Sequence, residues 1–389
     1  MLDLNRIRRD TPGVDRVLHF NNAGSALPPR PVHEAMVAHL ERELVMGGYE
    51  AAAAVKPLVG RPYAALATML NCAPGEVALV ENATRGWDMA FYSFAFQPGD
   101  RILTAEAEYA SNYLAYLQAQ RRFGVEIITI PSDGAGEIDI AALERLVDER
   151  VKLIAITHIP TNGGLINPAA EVGRIARRHG IPYLLDACQS AGQLPLDVQA
   201  IGCDMLSATA RKFLRGPRGS GFLYVRQGLL ETLEPPFVDL HAATWVATDR
   251  YELAPNATRF ENWERNYAAQ IGLGVAVDYA LDLGLDAIAA RTMALAEDLR
   301  ARLAAIPGVT VRDLGRTRSG IVTFTHDRLA PDAIKAALAA RAMQVTVSTI
   351  TSTRLDMTAR GLTAVVRASP HYYNSEDEVA RFAAAVAAL

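Results

Sequence analysis

Through most of the chain, short β-rich runs alternate with longer helical patterns, the arrangement of parallel strands joined by crossover helices. The runs predict strands at 76–80, 101–104, 125–130, 151–157, 182–186, 205–208 and 221–225, with helices between them at 87–96, 111–123, 140–149 and 168–179. Segments such as LIAIT and YLLDA are almost continuously apolar, as expected of strands covered by helices on both faces. From Gln270 the texture changes to two Ala- and Leu-rich helical patterns at 268–283 and 285–305, with Gly284 as a helix stop between them. The alternating stretches VTVRD, GIVTFTH, VTVST and AVVRAS come next, interleaved with helical patterns at 331–341 and 375–389. They predict a smaller α+β domain built on a short sheet.

Composition narrows the classes. A chain of 389 residues with 50% hydrophobic and 21% charged positions has ample apolar area for a continuous core, which excludes disorder and a small stapled module. The net charge of -4 gives no reason to expect nucleic acid or an anionic membrane as partner. Cys72, Cys188 and Cys203 are far apart and form no CxxC, so neither a disulfide scaffold nor a thiolate metal site is expected. The opening MLDLNRIRRD lacks the apolar run of a secretory signal, and no apolar stretch approaches the ~20 residues that span a bilayer. The expectation is a soluble, cytoplasmic enzyme acting on a small molecule, with no metal.

Four segments carry the candidate chemistry. In SATARKFLRGPRGSGFLYV a strand ends in small and hydroxyl residues, Lys212 comes at once, and Gly216, Pro217, Gly219 and Gly221 open a loop. A lysine just past a strand's carboxyl end suits an amine held in a crevice to form a Schiff base, although a lone lysine is more often a solvated surface charge. In IPYLLDACQSAGQLPLDV an apolar strand delivers Asp186, either as a helix cap or as a carboxylate that pairs with a protonated pyridine nitrogen. THIPTNGGLINP brings Asn162 to the same edge, as a turn residue or as a donor to a ring oxygen. In ENATRGWDMA the backbone amides of Ala83, Thr84 and Arg85 precede a helix and suit a phosphate.

Together, and with FNNAGSALPP near the start and VVRASPHYYNSEDEV near the end, these segments resemble the class V aminotransferase family of fold-type I pyridoxal-phosphate enzymes over nearly the whole chain. The resemblance implies an α/β fold with a large domain on a mostly parallel seven-stranded sheet. An arm at 1–30 would join a small domain at 268–389, leaving 31–267 as the large domain. It implies pyridoxal 5'-phosphate as cofactor, an amino acid as substrate and a homodimer with shared active sites. Lys212 would carry the cofactor, Asp186 would pair with its ring nitrogen, and Gln189 and Asn162 would lie at its phenolic oxygen. Ala83, Thr84, Arg85, Thr209 and Arg211 would hold the phosphate. Tyr109 would stack on the ring where desulfurases commonly have histidine. Arg367 would bind the substrate carboxylate, with Asn22 beside the substrate. Asn262 and Trp263 lie in the segment that reaches a partner subunit in the family, but its usual Gly-Thr is missing here.

Among the subgroups, desulfurases use a cysteine on a loop just before the carboxylate-binding arginine. Here VSTITSTRLDMTARGLTAVVR contains none. Arg354 in that stretch is a candidate contact to a distal group of a larger substrate, or a surface charge. MGGYEAAAA resembles the corresponding segment of ergothioneine-type C–S lyases. The expected reaction is therefore β-elimination from a cysteine S-conjugate or sulfoxide, followed in order by transamination or epimerisation, cysteine desulfuration, and a non-catalytic scaffold.

Overall fold

The computed structural model describes residues 2–389. The main sheet contains β1 (Val77–Val80), β2 (Arg101–Ala105), β3 (Glu126–Ile130), β4 (Val151–Thr157), β5 (Tyr183–Asp186), β6 (Met205–Thr209) and β7 (Gly221–Val225). Their order across the sheet is β1-β7-β6-β5-β4-β2-β3, and β7 alone runs against its neighbours. Side chains alternate between two buried faces. Ile154, Ile156, Leu185 and Leu206 join one core, covered by helices Lys56–Leu70 and Ala169–His179. Leu153, Ala155, Leu184 and Met205 join the other, under Ala83–Phe91 and Ala110–Phe123. Two covered faces explain the continuous apolar runs of the sequence.

Two boundaries differ from the sequence expectation. The helix expected at 87–96 is Ala83–Phe91, because extended Asn82 (φ -170) caps it, its Oδ1 accepting from the Arg85 amide at 2.9 Å. The domain boundary expected at 267/268 falls one helix early. Helix Tyr267–Leu283 packs on the large domain, with Leu273 and Val277 in its core, Gln270 Nε2 donating to Val59 O at 2.8 Å, and Asp278 paired with Arg61 at 2.6 Å. The turn at Gly284 (φ +84) then leads to helix Leu285–Ala304, whose Leu295, Leu299 and Leu303 belong to the small core.

The small sheet is antiparallel, with β8 (Val309–Val311), β9 (Val322–His326), β10 (Thr346–Thr349) and β11 (Ala364–Ala368) in the order β8-β9-β11-β10. The N-terminal arm packs here: Leu18–His19 pairs in parallel with Met343–Gln344, and Phe20 lies 5.1 Å from Phe382. Among the described residues, no helix is long and apolar enough to cross a membrane.

Candidate active site

The carboxyl ends of the central strands define the crevice, as the topology of open α/β sheets requires. Thr157, Asp186 and Ser207 end or nearly end three adjacent strands in register. Lys212 lies just past β6 in a loop that meets the turn after Asp186. Gly192 (φ +87) sits at that meeting point, where a Cβ would lie 2.3 Å from Leu214 N, so the two loops can touch only with glycine there.

Asp186 is buried and accepts from Asn112 Nδ2 at 2.9 Å and from Cys188 N at 2.8 Å. Lys212 is half-buried, and desolvation holds its ammonium below the ordinary lysine pKa, partly offset by the nearby Cys188 thiol and Asp186 carboxylate. Its Nζ lies 5.9 Å from the centre of the Tyr109 ring, so the aromatic face stands opposite the amine. Gln189, also buried, donates through Nε2 to Ala23 O at 3.1 Å and to Thr161 Oγ1 at 3.4 Å. Arg367 reaches the crevice from β11 in the small domain and donates to Thr161 Oγ1 and O. Burial pulls its guanidinium pKa down to about 10, so the side chain is cationic at neutral pH.

Three buried polar atoms of this crevice make no hydrogen bond among the described residues: Gln189 Oε1, Ser207 Oγ and Arg367 Nε. Each buried unpaired group costs about 1–3 kcal/mol, a cost that a polar ligand relieves. At the phosphate end, the cap spends Asn82 on the Arg85 amide and leaves those of Ala83 and Thr84 at the open helix start. Gly221 at the start of β7 allows this approach, since a Cβ there would sit 2.6 Å from Ala208 O and 3.2 Å from Ala83 N. Thr209 ends β6 nearby, with its hydroxyl 3.5 Å from Ser220 O. A helix-start anion cradle, a lysine amine, a buried carboxylate and an aromatic face form a donor set that fits a phosphorylated pyridine aldehyde.

Other expected residues have protein partners of their own. Asn162 is engaged with the small domain: Nδ2 donates to Thr353 Oγ1 at 3.0 Å and Thr349 O at 3.3 Å, and Ser348 Oγ donates to Oδ1. Its neighbour Thr161 occupies the place beside Gln189 and Arg367. Asn22 is fully buried on the seam between arm and small domain, donating to Ser369 O at 2.7 Å and accepting from Tyr373 OH at 2.5 Å. The Arg85 guanidinium lies 3.9 Å over the Phe237 ring, and only its backbone belongs to the helix start. Arg211 donates to Gly24 O. Asn262 donates to Glu81 Oε1 at 3.0 Å, while Trp263 is 51% exposed. Arg354 is exposed on a cleft of about 320 Å³ lined also by Glu106, Tyr113, Leu114 and Leu117.

Sequence reasoning missed Glu108, Asn112 and Thr161. Glu108 is a buried carboxylate immediately before Tyr109, and Asn112 is one helical turn further on. A charged residue between the strand end and helix Ala110–Phe123, with an amide at i+4, was the available signal.

The class these features define is an α/β enzyme with a lysine–aspartate crevice shared between two domains. The class-V aminotransferase family model matches residues 18–382, and the chain belongs to that family. A probable cysteine desulfurase of Methanothermobacter thermautotrophicus is 28% identical over 383 residues, covering 96% of this chain and 94% of the relative. A probable cysteine desulfurase of Halalkalibacterium halodurans is 33% identical over 289 residues, covering 72% of this chain and 68% of the relative. In structure, the chain is similar to the apo cysteine desulfurase of Thermococcus onnurineus NA1, with TM-score 0.91, 26% identity and coverage of 100% and 98% of the two chains. It is also similar to the cystine C–S lyase C-DES in complex with cysteine persulfide, with TM-score 0.88, 25% identity and coverage of 97% and 99%.

Proposed function

We propose that this chain is a pyridoxal 5'-phosphate-dependent enzyme that breaks the carbon–sulfur bond of a cysteine S-conjugate or sulfoxide by β-elimination. The bound cofactor supplies an electron sink for charge developing at Cα. Arg367 binds the substrate carboxylate through its planar fork. The Lys212 amine, its pKa lowered by burial, takes the Cα proton. With the cofactor bound, Asp186 would hold the proton on its ring nitrogen and Tyr109 would cover the ring. The Cα–H electron pair forms the Cα=Cβ bond, the sulfur leaves with the Cβ–S bonding pair, and hydrolysis of the enamine by water yields pyruvate and ammonia.

The observation that carries this reading over desulfuration is the absence of a thiol from Val347 to Arg367, a stretch folded as part of β10, a turn, helix Arg354–Ala359 and most of β11. The thiolate is the nucleophile in persulfide chemistry, and burial pushes the three thiols of this chain away from that form. Cys72 and Cys188 rise to about 12, and Cys203 rises as well. The relatives' descriptions nevertheless give desulfuration more support than the low rank expected from sequence. Both leading readings break the same bond.

Replacing Cys72, Cys188 and Cys203 together with Ala separates them. Turnover of a cysteine S-conjugate to pyruvate is expected to persist, whereas a desulfurase would lose its activity. Deuteration at Cα in heavy water, or amine transfer to a keto acid, with no pyruvate across a broad panel of conjugates and sulfoxides would refute elimination.

The same reading includes a homodimer. Leu44 and Val45 are 85% and 80% exposed, Tyr49 69%, and Trp245 73%. Tyr49 also borders a cleft of about 620 Å³ with Glu81, Gly219 and Arg265, next to the helix start proposed for phosphate. Large apolar groups in such number suit a covered interface. Sedimentation is expected to give twice 42.0 kDa; a fully active 42.0 kDa monomer at micromolar concentration would sink the assembly.

A further inference from the structure

The Glu108 carboxylate is buried, and all its partners are uncharged donors. Oε1 accepts from Tyr109 N at 2.9 Å, Asn112 Nδ2 at 2.9 Å and Thr157 Oγ1. Oε2 accepts from Thr104 Oγ1 at 3.0 Å and Thr157 N at 3.1 Å. The amide nitrogen of Asn112 that reaches Glu108 also donates to Asp186 Oδ2 at 2.9 Å, so a single side-chain amide bridges two buried carboxylates.

Burying a second carboxylate behind the first, with no ion-pair partner of its own, favours its neutral form unless a cation in the site holds it ionised. Desolvation raises Glu108 to about 7, hydrogen bonds oppose the rise, and Asp186 adds to it. The other titratable groups packed around it are Tyr116 from helix Ala110–Phe123 and Tyr183 from β5, both themselves pushed up; Glu106, Tyr113 and Arg354 line the cleft that Glu108 borders, and Lys212 lies beyond Asp186. Lys212 is not among the hydrogen-bond partners of Glu108. The cation that would complete the pair is a protonated ring nitrogen at Asp186.

We infer that Glu108 is a positioning residue for the cofactor. Through Asn112 it fixes the Asp186 carboxylate, through the Tyr109 amide it fixes the residue that covers the ring, and its charge adds to that of Asp186 in holding a proton on the ring nitrogen. One carboxylate thereby aligns the edge and the face of the same ring. The inference rests on the cofactor reading and is independent of the reaction.

The test uses the full-length protein loaded with pyridoxal phosphate labelled with ¹⁵N in the ring, followed by NMR across a pH series. Glu108→Gln removes the charge and is expected to lower the pH at which the ring nitrogen gives up its proton by about one unit, the scale of a nearby charge. Glu108→Asp keeps the charge and should restore most of that shift. Asn112→Ala breaks the bridge while keeping Glu108, and should weaken pyridoxal phosphate binding by about tenfold, the scale of one lost hydrogen bond to a charged group. If Glu108→Gln does not fold, the Asp and Asn112 variants carry the test, Glu108→Asp then being expected to titrate like wild type and Asn112→Ala to shift downward. Ring titration that is unmoved in Glu108→Gln or in Asn112→Ala, even with a lower melting temperature, would assign Glu108 to the fold alone and overturn the inference. Wild-type protein that binds no pyridoxal phosphate would instead overturn the cofactor reading beneath it.

Discussion

Lys212→Ala is expected to lose the covalent link to pyridoxal phosphate and to reduce turnover by about 10²- to 10⁴-fold, the range contributed by a positioned general base. The two losses have one origin: the same Nζ stands in the crevice beside Asp186 and opposite the Tyr109 ring. Borohydride treatment of wild type should leave a pyridoxyl adduct on the peptide containing Lys212, visible by mass spectrometry, while the variant should hold only exchangeable cofactor. Because desolvation lowers the Lys212 pKa, the neutral amine persists to lower pH than for a free lysine, and the acidic limb of kcat should lie below the ordinary lysine value near 10.4. A variant that still forms a borohydride-stable adduct on the protein, or keeps wild-type turnover, would show that another amine carries the cofactor.

The sequence was most informative where a regular element delivers a side chain to a known end. An apolar strand has one carboxyl terminus, so YLLD places Asp186, and the strand before Lys212 places the amine, before any coordinates are known. Turns offer no such period. In IPTNGG either Thr161 or Asn162 can face the crevice, and only the small-domain partners Ser348 and Thr353 show that Asn162 faces away. Asn22 misled for a related reason: its short amide at a domain seam is satisfied by Ser369 and Tyr373, residues more than 340 positions distant. Glu108 showed in the sequence only as an acid with an amide at i+4, because its meaning lies in Thr157, 49 residues away, and in Asp186, 74 residues beyond Asn112. The helix start at Ala83 was readable in principle, since Asn82 is a strong capping residue, but the apolar periodicity begins only at Trp87 and drew the boundary late.

The second large effect concerns the cation that the small domain sends into the crevice from β11. Arg367→Leu is expected to lower kcat/KM by about 2–5 kcal/mol, roughly 30- to 4000-fold, the cost of leaving one partner of a buried charge pair alone. Cofactor loading and its visible absorption should stay as in wild type, because Arg367 bonds to Thr161, and β11 is held by its neighbours at Thr323 and Thr346 and not by its side chain. Its Nε is buried without a partner among the described residues and remains available to an incoming carboxylate. Arg367→Lys should recover only part of the loss, since an ammonium keeps the charge but not the planar fork. With the guanidinium pKa drawn down to about 10, substrate binding should also weaken as the pH approaches that value, well before a free arginine would titrate. Steady-state kinetics on the productive cysteine conjugate, paired with cofactor absorption, check each point. Unchanged kcat/KM in Arg367→Leu, or loss of cofactor along with activity, would move the carboxylate site elsewhere in the crevice and with it the orientation of Cα toward Lys212.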